Sequence, residues 1–176
     1  MFVQQTLGEL NDYFLKRSQR PGSGVYFYRI CGYNESVGQF LKRYYEAAAR
    51  TGVVIEGRIP NPDERSLGYY EEVMGLDFRM DEAFISMSLR KWLPRINAYQ
   101  REQTAGALYA ILAQMRQEGK NDHMLKNAYI KFMCWLYYRF ERIVSHLGQE
   151  EIPGILYEGQ AGKYELRMLR ILSGAG

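Results

Sequence analysis

Val53-Val54-Ile55-Glu56-Gly57 and Ile155-Leu156-Tyr157-Glu158-Gly159 are the two stretches on which the fold turns. Each is a short aliphatic run that closes on Glu-Gly. Continuous rather than alternating apolar runs suit strands of a parallel sheet, which are covered on both faces. A carboxylate at the strand end, followed by a glycine turn, is how open α/β sheets present groups to a ligand at their carboxyl edge. A third run, Val25-Tyr26-Phe27-Tyr28-Arg29-Ile30, reads as another strand. The expectation is therefore an α/β fold with a small, mostly parallel sheet of about three strands, at residues 25–30, 53–59 and 155–158.

Working outward, Phe2, Val3, Leu7, Leu10 and Phe14 recur at helical spacing and suggest a short amphipathic helix. Asn34 is placed as an N-cap, and Val37, Phe40, Leu41, Tyr44 and Tyr45 form the buried stripe of the helix that follows, closed by Gly52. Pro60 and Pro62 stop the second strand, because neither can donate to a ladder. Residues 60–79, with two prolines, Gly68 and Gly75, read as a long loop. The period then changes to that of helices, at about 81–92, 98–118 and 122–147. In the last of these, Leu125, Tyr129, Phe132, Leu136, Phe140, Ile143 and Leu147 repeat at steps of three and four, so large side chains should be buried along its length. A final helix opens near Gly162.

The organisation expected is one α/β unit over residues 1–176. A sheet layer occupies 25–59 and 154–176, and a helical insert occupies 80–148. A strand and helix ending at Gly174-Ala175-Gly176 normally feed another parallel strand, so the chain is expected to be the N-terminal part of a longer protein.

Composition narrows the function classes. The 176 residues are 47% hydrophobic and 24% charged, ordinary for a globular protein of one domain. Fifteen tyrosines are many, and offer amphipathic contacts. A net charge of +3 is too small to argue for nucleic acid, and the aromatics near basic residues fall on the core stripe rather than free to stack. The charge-free stretch from Phe132 to Tyr138 is far short of the ~20 residues of a membrane span, and the N-terminus carries Glu9 and Asp12 instead of a signal peptide. Cys31 and Cys134 read as buried free thiols in a reducing compartment, so a cytoplasmic location is expected. His123 and His146 have no ligand spacing, and no metal site is expected.

The candidate site gathers at the strand ends. Glu56 and Glu158, at equivalent positions, could face one crevice, as acid and base or as acceptors for ribose or sugar hydroxyls. Arg58 and Asn61, beside the Pro-x-Pro turn, could clamp phosphate or carboxylate; Arg58 could equally pair with Glu56 or Asp63. Gly159-Gln160-Ala161-Gly162-Lys163 could cradle an anion at a helix start, although it is neither a P-loop nor a dinucleotide fingerprint. These residues assign no catalytic group and no cofactor.

Four segments together, Gly24-Val25-Tyr26-Phe27-Tyr28-Arg29-Ile30 with Gly32-Tyr33-Asn34, Ile55-Glu56-Gly57-Arg58-Ile59-Pro60-Asn61-Pro62, Lys126-Asn127-Ala128-Tyr129-Ile130-Lys131-Phe132-Met133-Cys134-Trp135-Leu136, and Ile155-Leu156-Tyr157-Glu158-Gly159, resemble the YceG-like bacterial family. Its members are described as components of a "biosynthetic module" in tellurium-resistance (Ter) operons. The resemblance implies a stress-associated bacterial protein, longer than this chain, acting in the making of a nucleoside-like metabolite and working beside partner proteins of the same operon. It carries over no catalytic residue. The leading expectation is a ligand-binding or transferase-like domain for a nucleotide or sugar-phosphate. The alternative is a non-enzymatic protein-interaction module using the Tyr-rich helices.

Overall fold

The computed structural model describes residues 10–20 and 30–176. Helices dominate them: α1 (Glu35–Thr51), α2 (Glu64–Met74), α3 (Glu82–Trp92), α4 (Ala98–Gln117), α5 (Asp122–Trp135), α6 (Glu141–Val144) and α7 (Lys163–Ala175). Among the described residues the sheet has two strands, β1 (Val53–Glu56) and β2 (Ile155–Glu158). The three-stranded α/β expectation is thus overturned. The described residues are mostly helical, with one short parallel pair of strands. The expected strand at residues 25–30 lies outside the described residues, save Ile30, which is in no strand. The second strand also stops at Glu56 rather than at Ile59, because Gly57 turns the backbone into the left-handed region at φ 80°.

β1 and β2 pair parallel, with Val53 opposite Ile155 and Glu56 opposite Glu158. Parallel neighbours need a crossover. Here the whole helical region between residues 57 and 154 is that crossover, so the expected insert is the connection itself. Val53, Ile55, Ile155 and Tyr157 pack on the helical core. By alternation Val54 and Leu156 face the other way, where α1 touches both strands. Gly52 and Gly154 bring the two strand starts together: a Cβ at Gly52 would stand 1.9 Å from the Gly154 carbonyl oxygen, which accepts from the Val53 amide.

The core lies among α3, α4, α5 and α7. Tyr129, Phe132, Leu136, Phe140 and Ile143 are all buried, as the three-four spacing requires, and so are Leu125 and Leu147. Gln100 caps the Asn97 amide and donates to the Ser145 and Leu147 carbonyls, tying the start of α4 to the end of the α6 rod. One interruption was not expected. The helix predicted over 122–147 passes through a π-helical turn at Leu136–Phe140 before α6. Just upstream, Trp92 Nε1 donates to the Met133 carbonyl at 3.0 Å, and a side chain inserted in the helical ladder is a recognised cause of such irregularity.

The expected loop over 60–79 is corrected as well, since α2 occupies most of it. Asp63 caps α2 by accepting from the Ser66 amide, and Tyr70, at three residues from Leu67 and from Val73, is its buried anchor. Near the N-terminus, Leu10–Phe14 is a 3-10 turn rather than part of an α-helix, and Phe2, Val3 and Leu7 lie outside the described residues. Tyr13 and Phe14 rings pack on Phe40 and Tyr44 of α1, a separate aromatic cluster. Cys134 is buried, its thiol pushed up to about 12 by desolvation, but Cys31 is exposed, contrary to expectation.

Candidate functional site: the carboxyl edge of the strand pair

Glu56 and Glu158 are partners in the parallel ladder. Residues opposite one another in a sheet share a face, and neighbouring strands lie about 4.8 Å apart. The two carboxylates therefore project side by side from the same edge, both exposed. The repeated Glu-Gly ending has a backbone cause too. Gly57 and Gly159 both have positive φ, 80° and 125°, and the Gly57 amide donates to the Glu158 carbonyl at 2.7 Å. The chain turns away after each glutamate and leaves it at the rim.

Arg58 and Asn61 are exposed on the connection from β1 to α2. Among the described residues no ion pair joins Arg58 to Glu56 or to Asp63, and Asp63 is committed to its helix cap. Gly159 and Gly162 sit in the turn from β2 to α7. Lys163, the first residue of α7, leans toward Glu118 at 3.7 Å.

The expected anion cradle at Gly162 is altered by a residue that the strand-end argument passed over. Glu165 is buried at the third position of α7, where it accepts from the Gly162 amide and, at 2.7 Å, from the Ile59 amide. The helix start thus already holds a carboxylate of its own, where its partial positive charge favours one. The signal was in the sequence: Gly162-x-x-Glu165 is the spacing of a capping box. Through Ile59 the same side chain fixes the backbone beside Arg58.

Behind the edge lies a denser group. The Tyr157 hydroxyl is enclosed, with no well-formed hydrogen bond among the described residues, and its phenol is pushed up by burial and then by the charge of Glu165. Lys131 Nζ lies 4.5 Å from the centre of the Tyr164 ring and 5.8 Å from that of Trp135, and desolvation lowers its pKa despite the opposing charge of Glu165. Trp135 Nε1 donates to the Pro60 carbonyl at 2.8 Å, pinning the turn that carries Arg58 and Asn61. Deeper still, Arg167 is buried and paired with Glu118. Burial alone would raise the Glu118 carboxyl, but hydrogen bonds from Gln114 and Arg167, with the charges of Arg167 and Lys163, hold it below the usual carboxylate range.

A second concavity is separate from this edge. A shallow groove of about 180 Å³ runs between α2, α3 and the π-helical turn, with Tyr69, Trp92 and Tyr137 among its walls. The Tyr137 phenol is raised, first by its interaction with the Tyr69 hydroxyl and then by desolvation. Among the described residues no group of three or more His, Cys, Asp or Glu is placed to hold a metal ion, and no helix is long and apolar enough to cross a membrane. No family model matches the chain, and no curated protein or solved structure matches it either.

Proposed function

We propose that the carboxyl edge of the β1–β2 pair binds the hydroxyl-bearing part of a nucleotide or sugar-phosphate. The observation that carries the reading is the register: Glu56 and Glu158 are direct partners on one face of one sheet edge. Two adjacent carboxylates make a bidentate acceptor for vicinal hydroxyls, and the ligand's donors relieve their mutual repulsion. Arg58 is the phosphate partner, exposed and, among the described residues, in no ion pair. Lys163 and the Gly159–Gly162 turn take a lesser part, because Glu118 and Glu165 already draw on that cation and that helix start. If a group is transferred at this edge, one of the two carboxylates is its base. The resemblance to the tellurium-resistance family supplies the setting, a bacterial stress-related biosynthetic module with partner proteins from the same operon.

The test is a thermal-shift screen of nucleoside phosphates and sugar nucleotides, since a ligand of the native state raises the melting point. A binder should lose about tenfold in affinity in Glu56→Gln and again in Glu158→Gln, the usual order for a hydrogen bond to a charged group. The unliganded melting point should stay within what a surface change produces. A panel without a single stabilising member, or glutamine variants that bind as the native chain does, would remove the proposal.

A further inference from the structure

We infer that the groove between α2, α3 and the π-helical turn docks an acidic segment of a partner protein, which inserts one proline or aromatic ring. The groove and the sheet edge share none of the residues proposed for binding, so this inference stands apart from the ligand reading. Three of its eight lining residues are aromatic, Tyr69, Trp92 and Tyr137. Tyr69 lies 5.5 Å from Trp92 and 6.2 Å from Tyr137, and Trp92 lies 4.6 Å from Tyr137, between ring centres. The π-helical turn brings a further ring beside this wall. Consecutive residues of an α-helix diverge by about 100°. Here Tyr137 and Tyr138 are neighbours in sequence, yet both rings approach Trp92, at 4.6 and 6.5 Å, and they stand 4.9 Å from one another. Turns of this kind are rare and concentrate at functional sites. Tyr69 remains 43% exposed, open to an incoming ring, and Tyr138, 45% exposed, stands beside the lining.

The charges choose the partner. Lys91 makes no ion pair among the described residues, and the Arg95 side chain is 83% exposed, with its nearest carboxylate, Glu141, at 4.0 Å. The lining therefore carries two cations against one carboxylate loosely held by one of them. A ring flanked by Asp or Glu complements that pattern. Size chooses between a free molecule and a segment of chain. Pockets for free small molecules run to about 300–1,000 Å³ and enclose most of their ligand. About 180 Å³ takes one ring, and leaves the rest of the ligand on the surface, as an extended peptide would lie. Aromatic-walled grooves are the usual seat of proline rings.

The experiment uses the full chain and fluorescein-labelled peptides of one length, read by anisotropy. One set carries a single Pro, Phe or Tyr between acidic residues. Controls replace the ring with Gly, or the acids with Lys, and phenyl phosphate serves as a free aromatic anion. Acidic ring-bearing peptides should bind about tenfold or more above both controls, and more weakly as salt rises. Lys91→Glu and Arg95→Glu should each weaken them about fivefold or more, with unchanged melting curves, whereas Glu56→Gln should leave them unaffected. The inference is overturned by any of three results. The Lys-flanked peptides bind equally; no member of the acidic set binds; or phenyl phosphate displaces the peptide at matching affinity, which would make the groove a small-molecule site.

Discussion

The α5 rod and the β1–β2 pair are held by opposite means. Along α5 and the turns after it, stability comes from side chains: Phe132, Leu136 and Phe140 are fully enclosed, and even Trp92 reaches in to a backbone carbonyl. At the strand pair it comes from backbone, a four-residue ladder whose starts touch at Gly52 and Gly154 and whose ends turn at Gly57 and Gly159. The first region tolerates no loss of volume and the second no gain of it. The exposed carboxylates belong to the second, where side chains are free to face a ligand because the packing does not need them.

Substitutions of opposite kinds should break the comparison in opposite places. Phe132→Ala, which empties the centre of the core, should cost about 3–5 kcal/mol in urea unfolding. A cost under 1 kcal/mol would mean that the rod is not the centre. Gly52→Ala adds only a methyl group, yet must displace the Gly154 carbonyl, and should cost about 1–3 kcal/mol. Hydrogen exchange at the Val53 amide should quicken while amides of α5 keep their protection. Equal acceleration in both regions would show that the two are one cooperative unit.

Glu165→Ala sharpens the boundary between them. It leaves the Ile59 and Gly162 amides without their acceptor and should cost about 1–2 kcal/mol, with little change in the core's near-ultraviolet dichroism. The smallest effect should come from acid. The Glu118 carboxyl has a folded pKa below its ordinary value of 4.5, so the folded state binds its proton less readily than the unfolded state. The contribution of its pairing with Arg167 and Lys163 is fully present above that value and is lost as pH falls through the folded pKa. A melting temperature that declines below pH 4.5 in the native chain, and declines less in Glu118→Gln, is the expected observation.

Much of the helical region was legible because packing there follows the sequence period. The starts of α3, α4 and α5 fall beside Asp81, Asn97 and Asn121, each of which accepts from a backbone amide of its first turn. That residues 53–56 and 155–158 are strands of one sheet was also legible, from two runs with the same ending, although their direct pairing and the stop at Glu56 were not. The fold class was not, because that repeat reports local backbone chemistry, strand then left-handed glycine, and says nothing of how small a share of the molecule the strands form. Helix α2 was missed because Pro60, Pro62 and Gly68 were weighed as breakers, although the prolines precede the Asp63 cap and Gly68 faces open space. The π-helical turn left no mark in the three-four spacing, since that spacing reports which residues are buried and not how the backbone is hydrogen-bonded. Of the candidate site, the two glutamates were readable from position alone. Glu165 is not readable in that way, because it acts from a buried position, accepting from the Ile59 amide.

The crossover has a consequence in time. The strands that present the glutamates pair across about a hundred residues, with Val53 meeting Ile155. Contacts so distant in sequence are costly to make early, whereas helices such as α5 form from near neighbours. During synthesis β1 leaves the ribosome long before its partner exists, and stays unpaired at least until β2 has followed α2 to α6 out. The sheet edge therefore cannot be completed before β2 exists, and any ligand held there reports that the two distant strands have met.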